Sequence, residues 1–206
     1  GMYDVRKKLY EIISTFIIES KANKVIEIGS GNGHNLLFLA SRFKELEFIG
    51  IEISPTSVYL AKEAAKKFEI VNVNFIVGDL ADPQTYKSHF GGESAVFSVH
   101  ALEEMPRIYK TVLNQLNLKK IENILLLEPV FLFSISRLTL DIARLIRIFN
   151  KDRLIGLLKY AKKSLNKNYN IKVVDLSTGI NPLNPTSLIR LQRKSKAINR
   201  STSYSL

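Results

Sequence analysis

The spacing of apolar positions changes along the chain, and each change predicts an element. Over residues 3–20 (YDVRKKLYEIISTFIIES) the apolar side chains recur with the period of a helix that buries one face. Lys24–Ile28 is a short apolar run that stops at glycines and reads as a buried strand. Helical spacing returns over His34–Lys44, and Glu47–Ile53 is a second strand. Ser54-Pro55 then supplies an N-cap and a proline at the first helical position of a helix over Pro55–Glu69. Val71–Val77 follows as a strand, Asp82–Phe90 as a short helix or turn, and Ser94–Val99 as a fourth strand. A helix over Glu103–Leu118 leads to a fifth strand, Ile121–Glu128, closed by Pro129. Strands that alternate with helices of this length predict an α/β fold, a parallel sheet with helices on both faces.

Beyond Pro129 the pattern differs. Residues 131–167 interleave apolar and basic positions at helical spacing and form a helical insert after strand five. Asn170–Leu176 and Ser187–Gln192 predict two more strands in an antiparallel hairpin, joined by the turn-rich STGINPLNP. The expected organisation is one domain over residues 1–206. It comprises an N-terminal helix (1–22), a ligand-binding core (23–130), the basic helical insert (131–167), the C-terminal strands (168–193) and a basic tail (194–206).

Charge sharpens this division. Residues 1–130 carry 15 Lys/Arg and 16 Asp/Glu, whereas residues 131–206 carry 15 Lys/Arg and 3 acids. The whole net charge of +11 therefore resides in the last third, where it fits either an anionic partner or a solvated basic face. With no cysteine there is no disulfide framework and no thiol nucleophile. Met2 is followed by a charged amphipathic segment instead of an apolar leader, and no apolar run reaches the roughly 18–20 residues of a membrane span. A cytoplasmic protein is expected, peripheral to a membrane if the 131–167 insert lies on one.

The candidate chemistry begins at VIEIGSGNGHN, where Gly29, Gly31 and Gly33 lie between strand one and the next helix. Glycines at a strand's carboxyl end let a ligand approach the main chain, though a tight turn without a ligand remains open. The dinucleotide pattern G-x-G-x-x-G/A would need Gly or Ala where His34 stands, which disfavours a nicotinamide-dependent oxidoreductase. Glu52 ends strand two, where a carboxylate can accept bonds from both hydroxyls of a ribose. Gly78-Asp79 ends strand three at the same edge, either as a simple turn or as an acceptor for an exocyclic amine. The three scattered histidines show no metal-ligand spacing, so no metal is expected.

Taken together, VIEIGSGNG, FIGIEISP, FIVGDLAD, AVFSVHALEEMP and ILLLEPV resemble, in order and spacing, the class I S-adenosylmethionine-dependent methyltransferases over roughly residues 24–130. The resemblance implies a Rossmann-like sheet and S-adenosyl-L-methionine as cofactor. It implies that Glu27 and the Gly29–Gly33 loop, with Ser30 and Gly31, line the methionine part. Glu52 would hold the ribose, Ile53 would pack on the adenine, Asp79 would meet its amine and Leu80 would flank its ring. Ser98 and the residues after it would border the methyl group and the acceptor. A sulfonium methyl is already activated, so a base is needed only for an acceptor that must lose a proton. His100 and Glu103 are the candidates for that role, with a loop histidine and a helix-dipole acid as the alternatives.

For the acceptor, SVHALEEMP lacks the [DN]-P-P-[YF] motif of DNA amino-methyltransferases. The expectation is a small molecule, anionic or amphiphilic, covered by Phe131, Leu132, Phe133, Arg137, Arg144 and Arg147 of the insert. RNA ranks below it, kept open by Phe131, Phe133, Phe149 and Tyr160 among basic residues. A module that keeps the cofactor fold without chemistry is the further alternative. The oligomeric state is not legible.

Overall fold

The computed structural model describes residues 2–91, 93–102, 108–129, 156–178 and 186–195. The elements in chain order are α1 (Met2–Ser20), β1 (Lys24–Ile28), α2 (His34–Arg42), β2 (Glu47–Glu52), α3 (Pro55–Lys67), β3 (Val73–Val77) and β4 (Ser94–Val99). They continue with α4 (Ile108–Leu118), β5 (Asn123–Glu128), α5 (Leu157–Ser164), β6 (Tyr169–Thr178) and β7 (Thr186–Arg193). Two short 3-10 turns, Pro83–Thr85 and Lys87–His89, occupy the stretch read as a short helix or turn.

Seven strands form one sheet in the order β3-β2-β1-β4-β5-β7-β6. The first five are parallel, and β7 pairs antiparallel with both β5 and β6. The predicted C-terminal hairpin is thus present, longer at both strands than its apolar pattern indicated. Strand order reverses at β1, which pairs with β2 on one side and β4 on the other. A crevice for a ligand lies at the carboxyl ends of strands at such a reversal.

Alternation along each strand sends side chains to two cores. Val25, Phe48, Phe75, Ala95, Phe97 and Leu125 pack beneath α1, α2 and α3, whereas Ile26, Ile28, Val96, Ile124 and Leu126 pack beneath α4 and α5. Ile13, Phe16 and Ile17 seat α1 in the first of these cores. Its end is clamped by Arg190 of β7, which pairs with Glu19 while its guanidinium lies 5.8 Å from the Phe16 ring centroid.

The predicted element ends shift for local reasons. β3 starts at Val73, not Val71, because Val71 is 94% exposed and Asn72 is occupied as a plug. The Asn72 amide nitrogen lies 3.2, 3.0 and 2.9 Å from the carbonyl oxygens of Ala40, Phe43 and Leu46 and closes the end of α2. α3 ends at Lys67, and Glu69 turns the chain with φ 55°. Its start is as read: the Ser54 hydroxyl accepts from Ser57 N at 3.2 Å, with Pro55 in the first turn. Within the 131–167 insert, the described part includes Gly156 and helix α5; residues 130–155, and with them Phe131 to Arg147, lie outside the described residues. Among the described residues no helix is long and apolar enough to cross a membrane.

Candidate active site

The loop after β1 carries Gly29, Gly31 and Gly33 at φ 70°, 52° and 76°, the left-handed region where a side chain is strained. A Cβ on Gly29 would strike Ala101 Cβ of the loop after β4, and one on Gly33 would come within 2.5 Å of the Phe75 ring. The glycines thus let two strand ends close on each other at the sheet's reversal point.

The loop is held from both flanks. Gly29 N and Ser30 N donate to Ile51 O at 2.8 and 3.1 Å, and Gly33 N donates to Ser30 O at 2.9 Å. Glu52 then joins β2 to the loop. Its Oε2 accepts from Gly31 N at 3.0 Å and its Oε1 from Ser54 N at 2.9 Å. Each carboxylate oxygen has capacity for a second donor, so this anchoring leaves room for ligand hydroxyls.

Glu27 points toward the α1 and α2 face and is buried. Asn35, in the first turn of α2, donates from Nδ2 to its Oε1 at 2.7 Å. Its Oε2 is buried with no hydrogen-bond partner. Burial pushes the Glu27 carboxyl up to about 8; the Asn35 bond draws it down and the Glu52 charge pushes it further up. A buried carboxyl that holds its proton, with one oxygen unsatisfied beside a glycine loop, is a socket that an arriving cation would ionise.

At the end of β3, Asp79 Oδ1 accepts from Ala81 N at 2.8 Å, the local turn that its sequence allowed. Ile53 is 53% exposed at this edge, an apolar surface open to a flat ring. Leu80, in contrast, is 2% exposed and packs in the core with Ile51 and Tyr86, so it backs this edge from within.

The fourth and fifth strands build the other wall. Ser98 is fully buried, and its hydroxyl donates to Glu128 Oε1 at 2.7 Å. The same oxygen accepts from Ala101 N at 3.1 Å and Leu102 N at 3.2 Å, so Glu128 fixes the loop after β4. Burial pushes the Glu128 carboxyl up to about 7, against the Ser98 bond, the Leu102 and Ala101 amides and the charge of His100. His100 stands at φ 52°, its backbone N donates to Leu127 O at 2.9 Å, and its Nε2 lies 2.8 Å from Thr186 Oγ1 of β7. Glu103 lies outside the described residues.

A family model for a methyltransferase domain matches residues 19–152, more than half of the chain and all of β1 to β5. The chain belongs to this family. It is a class I S-adenosylmethionine-dependent methyltransferase, and its sheet is that of the family. A tRNA (guanine-N(7)-)-methyltransferase of Mycoplasmopsis pulmonis is 26% identical over 188 residues, covering 82% of this chain and 87% of that one. Among solved structures, the methyltransferase domain of bacterial CtHen1 superposes with a TM-score of 0.68 at 14% identity, covering 91% of this chain and 99% of that one. Magnesium protoporphyrin IX methyltransferase of Synechocystis, solved with bound S-adenosylhomocysteine, gives 0.63 at 16% identity, covering 92% of this chain and 84% of that one.

The residues of this methyltransferase fit its cofactor. The unsatisfied Glu27 oxygen suits an ammonium, Glu52 suits vicinal hydroxyls, and Gly31, with nothing within 4 Å of where a Cβ would stand, leaves the loop open to a ligand. Reading the sequence alone missed four contributors. Asn35 holds Glu27, and Gly50 leaves space that a side chain would fill against Phe75 and Ser30 Oγ, at 2.5 and 2.7 Å. Glu128, an acid ending the apolar ILLLE, and Gly50, a glycine inside FIGIE, both break their strands' pattern, and that was a usable signal. Thr186 had none, since only the fold brings it to His100.

Proposed function

We propose that this methyltransferase modifies a base in RNA, with N7 of a tRNA guanine as the acceptor. In this reading Glu27, Ser30 and the Gly29–Gly33 loop hold the methionine part of the cofactor, Glu52 the ribose, and Ile53 and Asp79 the adenine. The similarity to the Mycoplasmopsis tRNA enzyme, which spans most of both chains, carries this reading. It reverses the order set by the sequence, which placed a small molecule ahead of RNA. The basic last third supports it: Lys159, Lys162 and Lys163 are exposed on α5, as are Lys172 on β6 and Lys194 beyond β7.

Guanine N7 is a lone-pair acceptor that carries no proton. The cofactor supplies a methyl group already activated on sulfonium. The protein then needs only to hold the base in line and exclude water, and orientation is worth several kcal/mol. No general base is required. Glu128 accordingly serves by fixing Ala101 and Leu102, and His100 by tying that loop to Thr186. Ser98 and Leu80 act from beneath the site, through Glu128 and through core packing.

The test is incubation with methyl-labelled cofactor and unmodified tRNA transcripts. Label should enter RNA and be recovered as N7-methylguanosine, with strand scission after borohydride and aniline at the labelled site. Label in a small-molecule or lipid fraction of cell extract, with none in RNA, would overturn the reading.

A further inference from the structure

We propose that the groove between α1 and α2 seats a nucleotide flanking the one that is methylated, a site that rests on the RNA reading above. The groove encloses about 520 Å³, within the size range of small-ligand sites. Three cations line it, Arg6 and Lys7 from α1 and Arg42 from α2, against one acid, Glu11. Its aromatic wall is a ladder. Tyr10 stacks on Phe38 with centroids 4.1 Å apart and planes 15° apart, and the Arg42 guanidinium lies 5.5 Å from the Phe38 centroid.

Aromatic rings beside guanidinium groups are how proteins hold single-stranded nucleic acid, the ring taking a base and the cations taking phosphates. Phe38 packs at the rim of the core, but the three cations are not needed by the fold itself. Ile13, Phe16 and Ile17 already bury α1, while Arg6, Lys7 and Arg42 remain exposed.

Its position matches the role. Phe38 follows Asn35 by one turn of α2, so it stands on the same helix face about 5 Å further from the glycine loop. Asn35 holds Glu27, and the Tyr10 phenol senses the same carboxylate: burial raises it, Arg6 draws it down and Glu27 pushes it up. The Tyr10 and Phe38 end of the groove therefore lies beside the helix turn that holds Glu27, next to the methionine end of the cofactor site.

The experiment measures KM for unmodified tRNA transcripts, the salt dependence of their binding, and S-adenosylhomocysteine affinity. Phe38→Leu keeps apolar volume and removes the ring; it should raise KM about tenfold while cofactor affinity stays within about twofold. Arg6→Gln with Arg42→Gln, both at the surface, should lower the slope of log K against log[salt] by about 0.7 for each phosphate that is no longer neutralised. A wild-type protein that methylates the transcripts, with both variants unchanged in KM and slope, would overturn the groove and leave the RNA reading standing. A wild-type protein that neither binds nor methylates them would overturn both.

Discussion

Glu27 shows how one residue's environment sets its chemistry. Its carboxyl is pushed up to about 8 by burial, against about 4.3 in an unfolded chain. Between those values the folded protein keeps a proton that the unfolded chain has released, so stability falls as pH rises across that window. Glu128, pushed up to about 7, adds to the fall over the lower part of it. Thermal melts of the ligand-free protein should therefore drop from pH 5 to pH 8. Glu27→Gln should flatten the curve and leave the share of Glu128; an unaltered curve would remove Glu27 as its source. The sequence marks Glu52 and Asp79 because each stands at a strand's carboxyl end, and Glu27 through the family resemblance. It could not show that Glu52 also anchors Gly31 and Ser54, or that Leu80 turns inward, since both depend on where the next loop runs.

The elements that matter most are two loops that touch. Gly29 lacks a side chain because Ala101 occupies the space and because φ is 70°. Gly29→Ala should destabilise the protein by about 1–3 kcal/mol in denaturant unfolding, from strain and clash together. Adding Ala101→Gly should relieve the clash and leave the strain, a coupling measurable in a double-mutant cycle. Strict additivity of the two changes would contradict the close approach. The strands and helices of residues 24–99 were legible to within a few residues because their apolar periods are strong. Starts and stops were less so: the Asn72 plug that delays β3 involves partners up to 32 positions away. The hairpin of β6 and β7 could be read as two strands, but its place beside β5 is tertiary information.

At the scale of the molecule, the cofactor half is nearly neutral and the last third strongly basic. Residues 1–130 sum to −1 and residues 131–206 to +12, from 15 Lys/Arg against 16 acids and 15 against 3. On the RNA reading the two ligands respond differently to salt. Transcript binding should weaken steeply as salt rises, since phosphate contacts release counterions. S-adenosylhomocysteine binding should hold nearly constant, because its partners sit in the crevice. A flat salt response for RNA would return the basic third to a solvated face.

The most direct test of the account is calorimetry of S-adenosylhomocysteine binding to the wild-type protein and to Glu52→Ala. One molecule should bind per chain, and the variant should lose about 1–3 kcal/mol, the range for hydrogen bonds to a charged group. Equal affinity in the two proteins would contradict the placement of the cofactor at the ends of β1 and β2.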